Sequence, residues 1–211
     1  MSQQNEQKIN VTADVVVVLD KSGSMASMGA EPKEALNLFI SEQKKEMTDS
    51  NALFSLYLFN DKIEKTLVNT PLKDIQEITD YTPEGMTSLF DAVGQAITDK
   101  LNTDRNKNVT MVVITDGAEN SSREYKTRDS VSKLVKKAET EFQWKVMFLG
   151  ANIDAFSEGQ SLSVSQNHCL QYDQQKFGAL KTAVKKAGEA CNVYRHASYT
   201  KVASQPINLN K

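Results

Sequence analysis

Apolar and polar residues alternate along this chain in two rhythms. The unbroken apolar run at residues 15–19 (VVVVL) has the character of a strand buried on both faces, as in a parallel sheet, and the mainly apolar stretches at 52–59 (ALFSLYLF), 109–115 (VTMVVIT) and 144–149 (WKVMFL) read as further strands. Between them the apolar positions recur at helical spacing. Pro32 opens a helix that carries Leu36, Phe39, Ile40 and Met47 close to one face. Residues 88–101 put Leu89, Val93, Ala96, Ile97 and Leu101 in phase. Residues 127–142 do the same with Val131, Leu134, Val135, Ala138 and Phe142. A short helix is predicted at 153–162, and a last one at 174–191 turns Phe177, Leu180, Val184 and Cys191 toward the sheet.

The remaining pieces are minor. Asn60–Asp61 makes a turn into residues 62–68, whose lysines and glutamate suit an antiparallel edge strand. Residues 72–78 read as a short helix or irregular piece, and 81–87, with Pro83 and Gly85, as a loop. Gly150 closes the strand at 144–149, and 168–172 form a short strand. Strands alternating with helices predict an α/β fold: a doubly wound, mostly parallel sheet with one antiparallel edge strand, helices on both faces and right-handed crossovers. The ordered domain is expected over residues 11–194. The polar, Gln/Asn-rich residues 1–10 form a flexible lead-in, and 195–211, with Pro206, a polar tail that fits no element.

The apolar run at 15–19 ends abruptly in Asp20, followed by Ser22 and Ser24. These lie at a strand's carboxyl end, where open α/β sheets bind ligands. All three donate oxygen, as a hard cation requires, although each is also a good helix cap. If the first strand and the strand at 109–115 are neighbours, Asp20 and Asp116 emerge side by side, and Thr87 enters from the loop between them. Five side chains then converge: Asp20, Ser22, Ser24, Thr87 and Asp116. Two carboxylates with three hydroxyls suit Mg²⁺, with Mn²⁺ or Ca²⁺ as alternatives.

Composition narrows the partners. The 211 residues carry a net charge of −2, which argues against a nucleic-acid or anionic-membrane footprint. The basic pairs Lys44–Lys45, Lys136–Lys137 and Lys185–Lys186 fall on solvated helix faces. Two cysteines, Cys169 and Cys191, without a C-x-x-C spacing, speak against zinc. No apolar stretch reaches the length of a membrane span and no signal region is seen, so a cytoplasmic chain with reduced thiols is the expectation.

D-x-S-x-S at Asp20–Ser24, a later threonine in GMTSLFDAV and a later T-D-G in TDGAENSS resemble the von Willebrand factor A domain and its metal-ion-dependent adhesion site, over about residues 13–191. The strings look particularly like stand-alone versions in bacteria and phages. The resemblance implies that Ser22, Ser24 and Thr87 contact the metal directly. It implies that Asp20 acts through water and that Asp116 moves between the two modes. It also implies a non-enzymatic module in which a partner protein's Asp or Glu supplies the sixth ligand. Many relatives have Gly-Gly-Thr where this chain has Gly85-Met86-Thr87, so Met86 narrows or greases the rim. Met25, Met28, Met86 and Glu119 are the residues expected to set specificity there.

Two other functions are weighed against this one. A scaffold or assembly protein would use the metal as a structural staple. A metal-dependent phosphohydrolase would use Asp20 as nucleophile, but Ser22 stands where a second acid is wanted and no lysine is marked for the phosphoryl charge. No G-x-x-x-x-G-K-[ST] string is present. Asp91 is expected to brace the loop through backbone hydrogen bonds, and Glu119 and Asn120 to serve a turn or helix cap. His168 and His196 are expected as surface or satisfied histidines, and both cysteines as small core residues.

Overall fold

In the computed structural model, residues 13–45, 52–103, 108–151, 155–196 and 208–210 are described. Six strands form one sheet in the order β3-β2-β1-β4-β5-β6. They are β1 (Ala13–Asp20), β2 (Leu53–Phe59), β3 (Ile63–Pro71), β4 (Asn108–Thr115), β5 (Lys145–Ala151) and β6 (Cys169–Tyr172). Only β3 runs antiparallel, on the outer edge beside β2. The central β1 pairs in parallel with β2 on one side and β4 on the other. Among the described residues five α-helices cover the sheet: α1 (Glu31–Lys45), α2 (Leu89–Thr103), α3 (Arg128–Glu141), α4 (Ala155–Ser161) and α5 (Ala179–His196). The α/β fold predicted from the alternating pattern is the fold found.

The unbroken apolar run of β1 is explained by burial on both sides. Successive side chains of a strand point to opposite faces. Val15, Val17 and Leu19 enter the core that contains Leu36, Phe39 and Ile40 of α1 and Leu180, Val184 and Cys191 of α5. Val16 and Val18 enter the opposite core, with Leu89, Val93 and Ile97 of α2 and Val131 and Val135 of α3. Burying one such aliphatic side chain contributes about 1.5–3 kcal/mol, so these two cores supply most of the driving force.

Polar groups occupy both ends of β1. At the amino end, Asp14 is buried and its Oδ2 accepts a hydrogen bond from Lys100 Nζ at 2.6 Å. The same ammonium donates to Asn69 Oδ1 at 2.5 Å. At the carboxyl end stands Asp20.

Three expectations are corrected. Phe177 does not face the sheet; it is 84 % exposed. Its spacing with Leu180 and Val184 continues the helical phase, yet α5 begins only at Ala179. Residues 173–178 are instead turns: Asp173 Oδ1 accepts from the Gln175 amide, and Gly178 takes φ +82°. The Glu31 carboxylate of α1 accepts the amides of Gly178, Leu180 and Lys181, capping α5 from a distant element. Gly150 does not close β5, which continues through it to Ala151. The tail is not featureless either: Arg195 and His196 end α5, and Leu209 returns to the core, its amide donating to Asn167 O at 2.9 Å. The lead-in at 1–10, Met47, Ile153, the His196 side chain and most of the tail lie outside the described residues.

Candidate metal centre

All five predicted residues meet at the carboxyl end of the sheet, where β1 and β4 lie side by side. Asp20 is fully buried. Its Oδ1 accepts the Ser22 amide at 2.7 Å and its Oδ2 accepts Thr115 Oγ1 at 2.6 Å. Ser22 Oγ lies 3.1 Å from Ser24 Oγ, and Ser24 Oγ donates to Asp116 Oδ1 at 2.6 Å. Thr87 closes the group: a Cβ placed on Gly117 would stand 3.5 Å from Thr87 Oγ1 and 3.7 Å from Ser24 Oγ. A glycine after Asp116 therefore leaves the space between these hydroxyls open.

The loops that carry these groups are tied to one another by backbone bonds. The Gly23 amide donates to Gly85 O at 3.1 Å, and the Glu84 amide to Lys21 O at 2.8 Å. Gly85 has φ +75° and the Asp61 carboxylate lies against it, so any side chain there would be strained and would collide. Asn60 binds the same loop through Glu84 O and the Ser88 amide. On the other side, the Thr87 amide donates to Asn120 Oδ1 while Thr87 O accepts the Asn120 and Ser121 amides.

The supporting acids behave as expected. Asp91, on the first turn of α2, accepts the amides of Arg123, Glu124 and Tyr125. Glu119 accepts the amides of Phe90, Ser121 and Ser122, satisfying one free donor of α2's first turn. This occupation removes Glu119 from the specificity residues. Met25 and Met28 are also removed: both are buried, because the short 3-10 segment Gly23–Met28 turns them into the core. Of the four expected rim residues, Met86 remains, 53 % exposed.

Three bracing side chains were not predicted. Tyr81 hydroxyl donates to Asp20 O at 2.6 Å and Tyr172 hydroxyl to Thr115 O at 3.1 Å, so each phenol holds the backbone at one strand end. Thr115 orients Asp20. Its place beside Asp116 was visible in the T-D-G string, but nothing local marked its partner 95 residues away.

The electrostatics are those of a site short of positive charge. Burial pushes the Asp20 carboxyl up from 3.8 to about 6; Thr115 and Ser22 oppose the shift through hydrogen bonds, and the Asp116 charge adds to it. Burial also raises Asp116, against the hydrogen bond from Ser24. Lys21, beside Asp20 in sequence, is turned to Glu64 at 2.5 Å. Among the described residues no group of three or more His, Cys, Asp or Glu is arranged to hold an ion, so this centre depends on hydroxyls as much as on carboxylates. Asp116 Oδ2 is buried with no hydrogen-bond partner. An unpartnered carboxylate oxygen among neutral hydroxyls is a fit for a small hard cation.

A mostly parallel open sheet with helices on both faces, and with acids and hydroxyls at the ends of two adjacent strands, defines an α/β domain. The sequence profile of the von Willebrand factor type A domain matches residues 14–186, and the chain belongs to that family. No curated protein sequence matches it. Among solved structures it is similar to proximal thread matrix protein 1 of the mussel byssus, at 17 % identity and TM-score 0.62, over 86 % of this chain and 48 % of that one. It is also similar to the vWF domain of the type V pili tip protein Mfa5 from Porphyromonas gingivalis, at 10 % identity and TM-score 0.62, over 89 % and 97 %. The pilus adhesin SpaC of Lactobacillus rhamnosus GG in its open conformation aligns at 16 % identity and TM-score 0.63, over 88 % and 30 %. The chain thus spans about half of the byssus protein's length and under a third of the adhesin's. At these identities the likeness is one of fold.

Proposed function

We propose that this protein is a non-enzymatic binding module in which a divalent cation, held by Ser22, Ser24, Thr87, Asp20 and Asp116, docks an acidic side chain of a partner protein. One observation carries the reading: two buried carboxylates share a hydroxyl-lined site, and one of their oxygens, Asp116 Oδ2, has no partner. A bound Mg²⁺ would supply the missing positive charge and attract a further carboxylate. The chain's own residues do the rest. Thr115 and the Ser22 amide hold Asp20, the hydroxyls of Ser22 and Ser24 face each other, and Tyr81 and Tyr172 fix the strand ends. The byssus relative is described with a zinc-occupied MIDAS motif, which supports a metal at the corresponding place in this fold.

The phosphohydrolase reading fares worse. Asp20 is wholly buried, and both its oxygens are engaged, so it is poorly placed to attack a substrate. The test is thermal denaturation with and without Mg²⁺ or Mn²⁺. A ligand bound only by the folded state raises Tm. The shift is expected in the wild type and absent in Ser22→Ala/Ser24→Ala. An equal shift in the double variant would put the ion elsewhere.

A further inference from the structure

Four large apolar side chains are exposed among the described residues: Val68, Met86, Phe177 and Val193. Two of them, Met86 and Phe177, lie in loops at the carboxyl end of the sheet. Met86 directly precedes Thr87. Phe177 lies in the turns after β6, on a groove of about 340 Å³ walled by Tyr172, Ala179 and Ala183. Tyr172 connects that groove to the centre, since its hydroxyl binds Thr115 O one residue before Asp116. Lys181 Nζ lies 5.4 Å from the centroid of the Phe177 ring. The Phe177 side chain is 84 % exposed.

Resting on the metal-docking reading above, we infer that Met86 and Phe177 are the apolar anchors of the docking face, and that the partner presents an Asp or Glu flanked by apolar side chains. The charge argument comes from the centre: buried carboxylates with the unpartnered Asp116 Oδ2 call for a cation, and the cation calls for an acid. The apolar argument comes from the rim. Exposed apolar side chains grouped about a polar site mark interaction surfaces, and aromatic anchors carry a large share of binding energy. Both anchors are exposed, so they can be changed without opening the core.

The test uses the full chain and a phage-displayed library of disulfide-closed loops with one fixed Asp and randomised flanks, selected in Mg²⁺. Enriched loops are expected to carry Leu, Ile, Met or an aromatic residue beside the Asp. Their affinity is expected to fall at least tenfold for Met86→Ser/Phe177→Ser, with Tm and Mg²⁺ affinity by calorimetry unchanged. A parallel selection on the double variant is expected to lose the apolar enrichment, which separates it from the general stickiness of such libraries. Loops with polar flanks, or a change in affinity below twofold while Mg²⁺ is still bound, would overturn the anchors and leave the metal reading standing. Absence of Mg²⁺ binding to the wild type, or loop binding that persists in EDTA, would overturn both.

Discussion

The two ends of β1 each bury an aspartate, and they treat it in opposite ways. Asp14, at the amino end, lies 2.6 Å from the ammonium of Lys100, itself buried. Asp20, at the carboxyl end, is held by a hydroxyl and an amide, and its proton affinity is raised by burial. A buried charge is costly unless paired. At the amino end the counter-charge is part of the chain, and the result is fixed structure. At the carboxyl end the carboxylates of Asp20 and Asp116 are met by hydroxyls and an amide, which is the arrangement the proposed cation would complete. The proposed function rests on the end where the fold leaves a charge uncompensated.

The largest effect is expected from breaking the internally paired end. Lys100→Met strands Asp14 in the core and should cost ~3–5 kcal/mol by urea denaturation. Adding Asp14→Leu should recover most of that loss, because a buried pair replaced by apolar groups is often close to neutral. A mild Lys100→Met would mean that Asp14 finds another partner, and the contrast between the ends would weaken.

Next comes pH at the unpaired end. Asp20 titrates at about 6 in the fold against 3.8 as an ordinary aspartate. Because the folded value is raised, its contribution to stability is fully present below 3.8 and is lost as pH rises through 6. Metal-free protein should therefore shed up to about 3 kcal/mol from this group between pH 4 and pH 7. Asp20→Asn should flatten that part of the pH profile in EDTA; profiles of equal slope would remove Asp20 as the cause. Ion binding needs the carboxylates ionised, so the Mg²⁺-induced rise in Tm should fade below about pH 6.

At pH 7, Mg²⁺ at a hundredfold its Kd should stabilise the protein by about 2.7 kcal/mol. Thr87→Ala should reduce that gain while leaving the metal-free melt cooperative, since the two cores do not depend on the ion. A melt that is lost altogether in EDTA would instead favour the structural-staple role. The smallest effect is expected from Tyr81→Phe. It removes one hydrogen bond to Asp20 O, worth about 1 kcal/mol, and should weaken Mg²⁺ binding by calorimetry more than the conservative change in packing accounts for.

Much of this fold was legible from spacing. The strands β1, β2, β4 and β5 announce themselves because burial on both faces demands mainly apolar runs, unbroken only in β1. The helices announce themselves because one face must be apolar every third or fourth residue. The five oxygen-bearing residues were legible for a related reason: a parallel sheet collects its ligand groups at strand ends, so the ends of two apolar runs could be inspected for acids. Asp91 was read as a brace from its place one turn into a helix, and Glu119, although also expected on the rim, as a turn or cap residue from its place after Asp116; both accept backbone amides.

What could not be read depends on contacts remote in sequence. Met25 and Met28 were expected on the rim, but a short 3-10 segment turns both inward. Phe177 was expected inside because its spacing fits a helix; a run of turns and a cap from Glu31, about 147 residues away, start that helix later. The sequence by itself determined which segments bury apolar surface and where acids and hydroxyls leave the sheet, because periodicity and strand ends are local properties. Only the tertiary structure decided that Lys100 neutralises Asp14 from 86 residues away while the Asp20 and Asp116 carboxylates are met by hydroxyls and amides. Charge compensation acts through space, and the pattern along the chain carries no record of it.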